Sequence, residues 1–109
     1  MSILEPKKID IVAVKPDSTV VKLVIADHLS WDDLKAHSLL LQDKINTYLE
    51  FVMSGQLQQL KEPKIPDSPE IRVTLSLQHS PTPEAKEFLA QVERFLKGSG
   101  LGFEIDQMQ

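Results

Sequence analysis

Cysteine is absent from this 109-residue chain, which excludes a disulfide scaffold, a thiol nucleophile and every thiolate metal site. Glycine is scarce, at four residues, and no apolar run approaches the ~20 residues that a membrane span needs. The first residues, Met1-Ser2-Ile3-Leu4-Glu5-Pro6-Lys7-Lys8, lack the apolar stretch of a signal peptide, so a cytoplasmic location is expected. An excess of basic charge is lacking too. Twelve Lys and Arg stand against 16 Asp and Glu, a net charge of −4, and Lys7-Lys8 and Lys61/Lys64 are pairs close to Glu5, Glu62 or Asp67. Nucleic-acid binding needs a basic stripe that neutralises several phosphates, so neither a nucleic acid nor a membrane is an expected partner. What the chain does have is 41% apolar residues, enough for one modest core and a single domain over residues 1–109, burying roughly two thirds of the extended surface.

Residues 9–14 (Ile9-Asp10-Ile11-Val12-Ala13-Val14) read as a strand, Lys15-Pro16-Asp17-Ser18-Thr19 as a turn, and residues 20–26 as the returning strand of an antiparallel hairpin. Ser30-Trp31-Asp32-Asp33 has the form of a helix start, with Ser30 as N-cap and Asp33 reaching back to it. From there Leu34, Leu41, Ile45, Tyr48, Leu49 and Val52 recur at helical spacing, and Ser54-Gly55 supplies the stop. The predicted helix, residues 31–53, is about 35 Å long. Pro63, Pro66 and Pro69 mark an irregular connection, with a short turn at Leu57–Leu60. Ile71, Val73, Leu75 and Leu77 alternate with Arg72, Thr74 and Ser76, the pattern of a strand with one wet face. Thr82 and Pro83 open a second helix, over residues 83–97, whose apolar face is Ala85, Phe88, Leu89, Val92, Phe95 and Leu96. A last strand spans 103–106.

The expected fold is therefore α+β: a two-layer sandwich with a four-stranded mixed sheet and two helices on one face, order β-β-α-β-α-β. Right-handed crossovers that keep both helices on one face require strands added in one direction, hence spatial order 1-2-3-4. A helix of that length outruns a seven-residue strand of roughly 23 Å. Together with Leu39, Leu40, Phe51 and Met53 outside the main stripe, and with hairpin valines on whichever face is left bare, this leads to the expectation of a homodimer. The competing cover is residues 56–66 folded back over the helix end.

Chemistry-bearing residues concentrate in Asp27-His28-Leu29-Ser30-Trp31-Asp32-Asp33-Leu34-Lys35-Ala36-His37. Asp27 and His28 fall at the C-terminal end of the second strand, where α/β proteins often bind ligands. Asp33 and His37 are i and i+4 on the helix, so their side chains can meet. Two His and up to three carboxylates could hold a divalent metal, or a carboxylate could orient an imidazole. His28 and His37, however, are nine residues apart on different elements, unlike the metal-binding His-Glu-x-x-His helix. The structural account covers the same residues. Asp33 caps, Asp32 complements the helix dipole, His37 bonds Asp33 or a loop carbonyl, and Asp27 and His28 cap a tight turn; replacing either His would then cost about 0.5–2 kcal/mol. Trp31 reads as a core lid beside the strand ends and Tyr48 as a core ring whose hydroxyl reaches the rim. Gly98-Ser99-Gly100-Leu101-Gly102 follows a helix and precedes a strand, the reverse of a phosphate loop, and no cofactor is expected.

The block Ala26-Asp27-His28-Leu29-Ser30-Trp31-Asp32-Asp33, then His37, the run Leu39 to Phe51 with its Lys44-Ile45-Asn46-Thr47-Tyr48-Leu49, and Ser54-Gly55-Gln56 resembles a family of small bacterial α/β proteins classed only as a domain of unknown function. The resemblance extends to the Ile9-Asp10 strand and the closing helix–glycine–Phe103 strand, although the Pro63–Pro69 stretch is richer in proline than is usual there. It implies no activity. It directs attention to Asp27, His28, Trp31, His37, Gln42, Lys44, Asn46, Tyr48 and Gln56, of which Asp27, His28, Trp31, His37, Lys44, Tyr48 and Gln56 form the candidate ligand or partner site. No catalytic or metal residue is assigned. The leading functional expectation is an interaction or structural module, with a protein partner or its own copy. The alternative is a small-molecule-binding domain or small enzyme using Asp27, His28 and His37. What separates them is whether these groups converge on a wet concavity or consume one another.

Overall fold

The computed structural model describes residues 9, 11–15, 17–61 and 63–107; expectations that involve Lys7, Lys8, Asp10, Pro16 and Glu62 lie outside them. Strands β1 (Ile11–Val14), β2 (Val20–Asp27), β3 (Glu70–Leu77) and β4 (Gly102–Gln107) form one sheet in the order β1-β2-β3-β4. β1 runs antiparallel to β2, and β2–β3 and β3–β4 are parallel. The fold is α+β, with helices α1 (Leu34–Met53) and α2 (Pro83–Gly98) as the crossovers between the parallel pairs. Their buried residues share one core cluster with the inward parity of the sheet: Val21, Leu23 and Ile25 from β2, and Val73, Leu75 and Leu77 from β3. Both helices thus cover the same face.

The hairpin turn uses Ser18, whose hydroxyl accepts the Val20 amide, 3.1 Å, while Asp17 takes the left-handed conformation (φ 56) that a short polar side chain tolerates. Register then divides the hairpin valines. Val12 and Val14 lie opposite Leu23 and Val21 on the helix side, and Val20 and Val24 lie on the other face. Only part of the valine surface is therefore left bare.

Helix α1 begins three residues later than the capping signal at Ser30 suggests, at Leu34, the first residue of its apolar stripe. Asp33, not Ser30, is the N-cap, its carboxylate accepting the Ala36 amide at 3.1 Å, whereas the Ser30 hydroxyl donates to Asp32. Residues 28–33 stay irregular, with the Ser30 carbonyl facing Nδ1 of His37 and the Trp31 ring stacked on its imidazole. At the far end Gly55 takes φ +83 as expected, and the short 3-10 helix η1 (Leu57–Gln59) folds back, burying Leu57 completely. Leu60 and Ile65 of the same connection also pack on the core. Helix α2 ends in a doubly bonded C-terminal turn: Gly100, at φ +84, donates to Lys97 and Leu101 to Leu96.

Candidate functional site

Asp27 is the last residue of β2 and keeps that strand's inward parity, two positions after Ile25. Its carboxylate is therefore driven into the layer between sheet and helix, where an unpartnered charge would cost several kcal/mol. His37 occupies the first full turn of α1 on the same stripe as Leu41, Lys44, Ile45 and Tyr48. The two side chains meet in the core, with Nε2 of His37 2.5 Å from Oδ2 of Asp27 and almost no solvent exposure for either. The other carboxylate oxygen, Oδ1, accepts the Leu29 amide at 3.1 Å, closing the turn that leaves the strand.

The second ring nitrogen of His37, Nδ1, lies 2.9 Å from the Ser30 carbonyl. A carbonyl can only accept, so Nδ1 carries a hydrogen. The contact between Nε2 and Asp27 needs a second proton, carried by the ring or by the carboxyl group; the pair is either imidazolium with carboxylate or its neutral tautomer. Trp31 closes the cluster from outside. Its rings stack on the imidazole, with centroids 3.7 Å apart and planes 16° from parallel, and its Nε1–H donates to the His79 carbonyl at 3.2 Å. That bond ties the lid to the β3–α2 loop.

The structure thus brings together Asp27, Trp31 and His37 and separates the rest. Asp33 caps Ala36 and does not pair with the His37 ring, whose two nitrogens already face Ser30 and Asp27. His28 points to solvent and Gln56 is exposed. Lys44 and Tyr48 form a second buried pair further along α1, with the ammonium 5.6 Å from the ring centroid, a cation–π geometry. The Tyr48 hydroxyl does not reach a rim; it donates to the Val24 carbonyl of β2 at 2.8 Å. Gln42 and Asn46 face outward, where they line a groove of about 330 Å³ between the helices with Ile45, Phe88, Gln91, Val92 and Phe95. Among the described residues no group of three or more His, Asp and Glu is placed to hold a metal ion.

A polar network on the helix-free face of the sheet was not among the expected features. Glu104 accepts from Thr74 at 3.0 Å and pairs with Lys22 at 3.2 Å across three strands. The cross-strand register Lys22↔Arg72↔Gly102 and Val24↔Thr74↔Glu104 is the signal, visible only once strand order is known. Burial alone would raise the Glu104 pKa, but the Lys22 and Thr74 hydrogen bonds, with the Lys22 and Arg72 charges, outweigh it and hold it below the usual 4.5. A carboxylate depressed in the folded state contributes stability above its ordinary value and loses it as pH falls through the folded one. Glu104→Gln should therefore cost under about 1 kcal/mol at pH 7, since the pair is partly exposed. The difference from wild type should begin to shrink as pH falls below 4.5 and vanish once pH is below the lowered folded value; a series of urea unfolding curves at decreasing pH checks this.

A family model, described as a family of unknown function (DUF6572), matches residues 1–109. The chain belongs to this family. No curated protein matches it, and no solved structure does. Family membership agrees with the resemblance read from the Asp27–Asp33 block and assigns no activity to any residue. Among the described residues, no helix is long and apolar enough to cross a membrane.

Proposed function

We propose that this protein is an interaction or structural module and not an enzyme. The observation that supports this most is the closure of the Asp27–His37–Trp31 cluster. In carboxylate–imidazole pairs that do chemistry, the far ring nitrogen faces the reacting group. Here that nitrogen is held by the Ser30 carbonyl and the ring is covered by Trp31. Buried groups that satisfy one another define a unique packing, which suits a scaffold. The helix layer, by contrast, presents exposed Leu39, Met53 and Phe95 to solvent, surface that a partner would cover.

The alternative, ligand binding or catalysis through Asp27, His28 and His37, makes the opposite prediction in thermal unfolding. Zinc, inorganic phosphate and a panel of nucleotides and small carboxylic acids should each leave the midpoint unchanged. His28→Ala, at an exposed position, should change stability by less than about 0.5 kcal/mol. A rise of several degrees with any of these ligands, lost in His28→Ala or Asp27→Asn, would replace the proposal with the alternative.

A further inference from the structure

Resting on the reading of the chain as an interaction module, we infer that its partner at the helix layer is a second copy of itself. The two α2 helices pair antiparallel about a two-fold axis at Gln91, laying Phe95 of each copy against Phe88 of the other over the α1–α2 groove.

The inference starts from the burial pattern of α2. Ala85, Leu89, Val92 and Leu96 face the core, so Glu84, Phe88, Gln91 and Phe95, at helical spacing, form a neighbouring stripe on the side of α1. Phe88, Gln91 and Phe95 line the groove. Phe95 is 50% exposed, and Leu39, one turn before Gln42 on α1, is 55% exposed, although both are large apolar side chains that a finished core would hide. Gln42, Asn46 and Gln91 put uncharged amides between them, so desolvating the groove buries no ion.

Charge then selects the occupant and its direction. Beside the groove stripe, on its solvent side, α2 carries Glu87 in its first half and Arg94 in its second, both exposed. A two-fold axis at Gln91 sets Glu87 of one copy opposite Arg94 of the other within one residue, and the same axis sets Phe88 opposite Phe95 as closely. A parallel pairing would instead put like charges together. Acid at the start and base at the end also suit the helix dipole; the agreement of the aromatic pair with the same axis is what the dipole does not explain. Lys86 and Glu93 lie on the opposite flank, towards Phe103 and Ile105 of β4, and Lys97 lies there too, towards the start of β3 and β4. The helix layer is also the electrically balanced part of the chain. α2 has Glu84, Glu87 and Glu93 against Lys86, Arg94 and Lys97, and α1 has Asp43 and Glu50 against Lys35 and Lys44, so the net −4 resides elsewhere. Two copies meet with least repulsion on this face.

Sedimentation equilibrium over a concentration series tests the inference with the full chain. The wild type should move from 12.3 kDa towards twice that mass as concentration rises. Phe95→Ser, at an exposed position, should keep its circular dichroism and melting temperature yet stay monomeric. The charge reversals Glu87→Lys and Arg94→Glu should each weaken self-association at least about tenfold, and an equimolar mixture of the two should re-form the dimer. A wild-type mass fixed at 12.3 kDa at every concentration overturns the inference. So does a dimer that survives both reversals, which would mean another face or another direction. Either result leaves the interaction reading standing, because that reading falls only if a small ligand stabilises the fold through the Asp27 cluster.

Discussion

Asp27→Ala should lower the free energy of unfolding by about 3–5 kcal/mol in urea titration, because it leaves His37 in the core with one ring nitrogen facing nothing. His37→Ala should cost a similar amount, leaving a buried carboxyl group with only the Leu29 amide as partner. Against a total stability of roughly 5–15 kcal/mol for a domain, either change removes a large fraction. It also exceeds the cost of about 0.5–2 kcal/mol expected when His37 is read as making a single bond to Asp33 or a loop carbonyl. Asp27→Asn should behave quite differently. Asparagine keeps an oxygen for the Leu29 amide and offers an N–H to Nε2 of a neutral ring whose Nδ1–H still donates to Ser30, so every bond survives with one proton fewer. Its cost should stay below about 1 kcal/mol. Should Asp27→Asn cost as much as Asp27→Ala, the pair would depend on its charge and not on hydrogen-bond closure.

Trp31→Ala should be the second large loss, about 3–5 kcal/mol by the same measurement, since it removes a buried indole and opens the Asp27–His37 pair to water. Trp31→Phe keeps a ring over the imidazole and gives up the bond to the His79 carbonyl, so about 1 kcal/mol should be lost. The stacked geometry makes the two residues energetically dependent. In a double-mutant cycle Trp31→Ala and His37→Ala should together cost less than their sum, by about 1 kcal/mol or more. Strict additivity would mean that Trp31 fills volume without acting on the pair.

Hydrophobic periodicity carried most of the architecture because side chains repeat every two residues in a strand and about every 3.6 in a helix. The alternation from Ile71 to Leu77, the stripe from Ala85 to Leu96 and the valine hairpin therefore place β3, α2 and β1–β2, and the handedness of parallel crossovers orders the sheet. Thr82, Gly55 and the proline cluster act through local backbone chemistry and were readable for the same reason. The start of α1 was not. A capping signal at Ser30 competes with a second at Asp33, and which one wins depends on whether residues 28–33 are needed elsewhere.

The candidate site was legible as a collection of residues and illegible as an arrangement. That Asp27 shares the parity of Val21, Leu23 and Ile25, and that His37 lies one turn before Leu41, could both be read along the chain. The two facts together point to a buried carboxylate–imidazole contact. Adjacent carboxylates and the i, i+4 spacing of Asp33 and His37 drew attention to the wrong pair, because local spacing ignores which groups are already consumed. Lys44 and Tyr48 are likewise separated from Asp27 only by their position along the helix axis.

By itself, then, the amino-acid sequence determined the element types, their order, the single layer of helices and the family, all of which follow from local periodicity and chain connectivity. The tertiary structure alone decided that His37 bonds Asp27 and not Asp33, that Trp31 seals the pair, and that Glu104 reaches Lys22 across three strands. It also decided that α2 leaves Phe95 outside. These contacts join residues distant along the chain, and each is set by competition for a limited number of hydrogen bonds and a limited area of cover, which only the packed molecule settles.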